Sequence, residues 1–89
     1  MAITAEQIRT RILAALPDAE VSVRDTTGTG DHYAATVVTP AFQGRLPVDR
    51  HRMIYAALGE AMHSDIHALA LETLTPTESA ARGARPRPL

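Results

Sequence analysis

Four histidines and nine basic residues, all of them arginine, carry most of the chemistry available to this 89-residue chain. It has no cysteine. Disulfides, thiolate nucleophiles and thiolate metal ligands are therefore excluded, and any metal held by its side chains would meet nitrogen or oxygen. His67 stands in Ile66-His67-Ala68-Leu69-Ala70-Leu71. In an extended strand it shares a face with Leu69 and Leu71, while Ala68 and Ala70 face the other way. The leucines are expected to face helices, which leaves His67 at the strand's entrance, partly sheltered beside the end of the preceding helix. A lone histidine there is ordinarily a core-edge group bonded to a backbone carbonyl. Neutral imidazole is also a good ligand for several transition metals.

The other histidines are less pointed. His32, in Gly30-Asp31-His32-Tyr33, closes a turn-rich segment. His51 lies between two arginines and is expected to be solvent-facing or semi-buried. His63 precedes His67 by four residues, but Ser64-Asp65 interrupts the helix, so the i, i+4 geometry of helical metal sites does not apply. It ranks third as a ligand.

Arg45, Arg50 and Arg52 gather around the start of a helix, with Asp49 among them. Helix N-termini favour anions, and guanidinium groups suit bidentate contact with phosphate. One reading is a phosphate-contacting surface for DNA or RNA; the other is a solvated face pairing with Asp49 or with a partner's carboxylates. A net charge of −1 gives no global attraction to nucleic acid. Phe42, Tyr33 and Tyr55 are the only aromatic residues, which leaves little for base stacking. Ser22, Ser64 and Ser79 lack a nucleophile-elbow context, and the carboxylates are scattered, so an enzyme is not expected.

These groups must be positioned by one small domain, expected over residues 1–81, with a tail over 82–89. Thr4 to Leu16 reads as a helix, capped by Thr4 with Gln7 reciprocating and Ile3 stapled onto Ile8; Ile8, Ile12, Ala15 and Leu16 form its apolar stripe. Glu20–Asp25 alternates as a half-buried strand, and His32 to Thr39 follows as a second after a longish, flexible loop. Pro40 to Asp49 is irregular, with room for one helical turn. Asp49 is a plausible cap for a helix from Arg50 to about His63, with Met53, Ile54, Ala57, Leu58, Ala61 and Met62 as its stripe. Ile66 to Leu74 is a third strand. Thr75-Pro76-Thr77-Glu78 is a second capping box opening a short last helix. The order helix-strand-strand-helix-strand-helix implies an α+β fold: a mixed three-stranded sheet with helices on one face, the second helix crossing over to a parallel strand. No apolar run approaches membrane-spanning length and no signal peptide is evident, so a soluble cytoplasmic protein is expected.

Phe42-Gln43-Gly44, Arg50-His51-Arg52-Met53-Ile54-Tyr55, Ile66-His67-Ala68-Leu69-Ala70-Leu71 and Thr75-Pro76-Thr77-Glu78 lie in the order and near-spacing of the BolA family, which the chain resembles from Thr4 to Glu78. The resemblance implies a fold similar to the type II KH domain, and a part in iron–sulfur and iron homeostasis or in transcriptional regulation under stress. It implies a monothiol glutaredoxin as partner, with a 2Fe–2S cluster shared between the two proteins and glutathione rather than bound by this chain alone. His67 matches the family's C-terminal histidine, implied to be a cluster ligand. Some members place a second ligand slightly earlier in the hairpin loop than His32; here Gly28, Thr29, Gly30 and Asp31 occupy that stretch, and His32 is the candidate that remains. The Arg50 helix is implied to contact DNA, although the Gly-x-x-Gly clamp of KH domains is absent. A weak homodimer is also allowed.

Overall fold

The computed structural model describes residues 3–28, 30, 32–64, 66 and 68–83. The first helix, α1 (Ala5–Ala15), starts where the sequence demands. The Thr4 hydroxyl accepts from the Gln7 amide at 3.1 Å, and the Gln7 side chain accepts from the Thr4 amide at 2.8 Å. Two orphan N–H groups are thereby satisfied. Ile3 packs beside Ile8 and Ile12 in the core. Ala15, expected on the same stripe, is exposed.

Strand β1 (Glu20–Asp25) pairs antiparallel with β2 (His32–Val38), and β2 pairs parallel with β3 (Ala68–Leu74), so β2 is central. Tyr33, Ala35 and Val37 are buried towards α1 and the next helix, with Leu69 and Leu71 packed against the same core. The expected register of β3 holds: Ala68 and Ala70 are exposed. Of the two residues expected ahead of Ala68, Ile66 is buried and outside the strand, and His67 lies outside the described residues.

The crossover departs more from expectation. After a 3-10 turn at Pro40–Phe42, helix α2 spans Pro47–Leu58. It begins three residues before Arg50, because Pro47 has a helix-ready φ and no N–H to leave unsatisfied. Asp49 is therefore in the first turn, where its charge suits the dipole, and is not the cap. Nor does α2 continue to His63. Gly59 takes φ +55° and ψ −129°, a glycine conformation, and ends the helix; a separate four-residue helix, α3 (Ala61–Ser64), resumes the apolar stripe. Phe42, Ile54, Leu58 and Ala61 complete the core between α1 and the sheet.

Helix α4 (Pro76–Gly83) opens on the second capping box: the Thr75 amide donates to Glu78 at 2.8 Å and the Glu78 amide to the Thr75 hydroxyl at 3.1 Å. Arg82, assigned to the tail from sequence, belongs to this helix and is paired with Glu72. Among the described residues no helix is long and apolar enough to cross a membrane.

Candidate functional site

His32 is the first residue of β2, half-buried, and stands opposite Ala68 in the parallel register. Because Tyr33 next to it is buried towards the helices, strand alternation puts His32 on the face away from α1 and α2, with Ala34 and Thr36. That is the face opposite Leu69 and Leu71. Its carbonyl accepts from both the amide (2.9 Å) and the hydroxyl (3.2 Å) of Thr26. His67, the leading ligand candidate, lies outside the described residues, as do Thr29 and Asp31. His51 is half-buried on α2, and His63 falls within α3. Among the described residues no three histidine or carboxylate side chains gather as a metal site.

The loop from β1 to His32 is better held than its composition suggested. The Asp25 carboxylate accepts from the amides of Thr27 (3.1 Å) and Gly28 (2.8 Å) on one oxygen and of Gly30 (2.9 Å) on the other. Gly28 and Gly30 have φ of +76° and +79°, which lets the chain curl around the carboxylate.

The three arginines separate. Arg50, expected at the surface, is 8% exposed. Its Nε donates to the Arg45 carbonyl at 2.9 Å and its Nη1 to the Thr73 carbonyl at 3.1 Å and to Glu78 at 2.7 Å; Nη2 reaches the second Glu78 oxygen at 3.4 Å. The guanidinium also lies over the Phe42 ring, 5.7 Å from its centre. Four of five donors are thus spent inside the fold, tying α2 to β3 and α4, so Arg50 is not placed to meet a phosphate. In return, the Arg50 hydrogen bond, followed by that from the Thr75 amide, holds the Glu78 carboxyl below its ordinary value of 4.5.

Arg45 and Arg52 do remain on the surface. Arg45 Nε donates to the Ala41 carbonyl at 3.3 Å, and Arg52 is 3.9 Å from Asp49. The same stretch of chain carries three exposed large apolar side chains, Leu46, Val48 and Tyr55. Apolar spacing had not singled out Leu46 or Val48, since neither belongs to the buried stripe.

The described residues thus form a small mixed sheet with two helices packed on one face and His32 at the hairpin end. The model of BolA-like proteins matches residues 12–78, and the chain belongs to the BolA family. BolA-like protein 1 of Pongo abelii is 35% identical over 78 residues, covering 80% of this chain and 57% of that protein. The chain thus spans little more than half the length of such mammalian relatives. The DNA-binding transcriptional regulator BolA of Escherichia coli is 34% identical over 80 residues, covering 82% of this chain and 76% of the relative. Among solved structures, a BolA homologue from Coxiella burnetii superposes with a TM-score of 0.75 at 42% identity, covering 88% of this chain and 97% of that one. Yeast Fra2 gives 0.75 at 26% identity over the whole of both chains.

Proposed function

We propose that this chain is a non-catalytic cytoplasmic adaptor that binds a monothiol glutaredoxin and shares or receives its 2Fe–2S cluster, with His67 and His32 as imidazole donors. The observation that carries the reading is the parallel register of β2 and β3. It sets His32, the first residue of β2, opposite Ala68, the first residue of β3, so the starts of these two strands lie side by side at one end of the sheet. The donor set, two imidazoles and no cysteine, suits a cluster shared with a partner that supplies thiolates. Thiolates would come from the partner's cysteine and from glutathione. Such a cluster supplies one-electron chemistry, and an imidazole ligand raises its potential relative to all-thiolate ligation. The chain's own part is to present nitrogen donors and a docking surface.

The test is spectroscopic. Apo protein is mixed with cluster-loaded glutaredoxin, and visible absorbance and circular dichroism are recorded for the parent and for His67→Ala and His32→Ala. The parent should change the spectrum, His67→Ala should abolish that change, and His32→Ala should weaken it. A His67→Ala complex indistinguishable from the parent's would refute the metal role.

A second reading, regulation through DNA, is favoured by the name of the Escherichia coli relative and by the exposure of Arg45 and Arg52. It proceeds without Arg50, whose charge is taken up by Glu78.

A further inference from the structure

The hairpin loop ahead of His32 is built around one anion. Asp25, the last residue of β1, pairs with Tyr33 across the hairpin. Its carboxylate is seated on the amides of Thr27, Gly28 and Gly30, so main-chain N–H groups on both arms of the loop point at one side chain. Thr26 then closes the neck, holding the His32 carbonyl from its amide and its hydroxyl. His32 is fixed from the other side by pairing with β3 at Ala68. The spacing is specific: donors at two, three and five residues after the aspartate, with glycines of positive φ at the third and fifth. A side chain that accepts three main-chain bonds removes most of the alternative conformations of a six-residue turn.

We propose that Asp25 is a positioning residue, which pre-organises the β1–β2 loop and thereby fixes the direction in which His32 is offered to a partner. The inference rests on the reading of His32 as a donor to a shared cluster, and it adds a residue that never touches the cluster. Presentation of an imidazole from a loop that is already ordered costs less conformational entropy at the moment of binding than ordering it then. Neutralising Asp25 should therefore weaken the complex although the fold stays intact, since Asp25, Thr26, Thr27 and Gly28 are exposed.

The experiment has two arms, on Asp25→Ala and Asp25→Asn. In the free chain, amide hydrogen exchange at Gly28 and Gly30 and backbone relaxation at His32 report the loop directly. Asp25→Ala should exchange at these amides on the order of tenfold faster, the effect of about one lost hydrogen bond, with increased motion at His32 and a still cooperative unfolding transition whose midpoint falls by only about 5–10 °C. Asp25→Asn keeps the acceptor for Thr27 and Gly28 and loses the one for Gly30, so it should fall in between. In the second arm, cluster-loaded monothiol glutaredoxin is titrated with each variant, and visible circular dichroism is read. Asp25→Ala should weaken the complex to the extent that His32→Ala does, with partial rescue by Asp25→Asn. Unaltered exchange and relaxation in Asp25→Ala overturn the proposal, and so does a titration that matches the parent's. A parent that leaves the cluster spectrum unchanged counts against the shared-cluster reading alone, and the free-chain arm then decides whether Asp25 orders the loop and His32.

Discussion

Arg50→Met should cost this domain a large share of its stability. Methionine keeps an unbranched apolar stem over Phe42 and removes every donor. The side chain of Arg50 is 10% exposed, and its loss strands two main-chain acceptors at the junction of α2, β3 and the preceding loop: the carbonyls of Arg45, at 2.9 Å, and Thr73, at 3.1 Å. Charge-assisted hydrogen bonds of this kind contribute about 1.5–3 kcal/mol each at most, and partial access of water to the vacated carbonyls lowers that. The pairing with Glu78 adds little, because that carboxylate is half in water. A loss of about 2–4 kcal/mol follows, which in a domain of this size lowers the midpoint of thermal unfolding by roughly 10–20 °C. The assay is thermal and urea unfolding of the parent and Arg50→Met, followed by circular dichroism at neutral pH. A midpoint within about 3 °C of the parent's would refute the argument that Arg50 is a structural clamp. If Arg50 were instead a phosphate ligand, its replacement would weaken DNA binding and leave stability nearly untouched.

Other expectations follow from the same geometry. Because Glu78 is held below its ordinary 4.5 in the folded state, its contribution to stability is complete above that value. It is lost as pH falls through the lower folded-state value; acid titrations of unfolding should show this limb in the parent and a shallower one in Arg50→Met. Gly59→Ala should cost about 1–3 kcal/mol in urea unfolding, since φ +55° with ψ −129° is strained for any side chain, although a Cβ there would meet nothing. Replacing Arg45 and Arg52 together by Ala should leave stability within about 0.5 kcal/mol. If the DNA reading holds, the double variant should also flatten the salt dependence of DNA binding by roughly one unit per lost contact.

What the sequence disclosed was mostly what is local. Both capping boxes, Thr4 with Gln7 and Thr75 with Glu78, depend on partners three residues apart. The bounds of β1 and the face of Leu69 and Leu71 followed from a two-residue alternation, and the mixed pairing from the length of the crossover. Arg50 was misread because its acceptors lie 5, 23 and 28 residues away. Only the folded chain brings Arg45, Thr73 and Glu78 to it. Gly59 was missed because the apolar stripe resumes in α3 after the break, so periodicity alone carried the helix through. The glycines around Thr27 announced a turn, but not that Asp25 would curl the main chain about itself. The side of the sheet taken by His32 follows from burial of Tyr33, whose hydroxyl donates to the Ile3 carbonyl at 2.6 Å, a contact thirty residues away in sequence.

The unequal spacing of the strands has a kinetic consequence. Six residues (26–31) separate β1 from β2, whereas 29 (39–67) separate β2 from β3. Closing the longer segment costs about 1.4 kcal/mol more in chain entropy, before any reward from its contacts. The hairpin therefore nucleates early, and docking of β3 beside β2, with the crossover helices folded between them, is the slow event. The Arg50 clamp is made after β3 arrives, since two of its acceptors, Thr73 and Glu78, come from that strand or beyond it. Loss of the clamp should hardly change the refolding rate and should instead hasten unfolding, so that the lifetime of the native state, more than the speed of reaching it, depends on a single guanidinium.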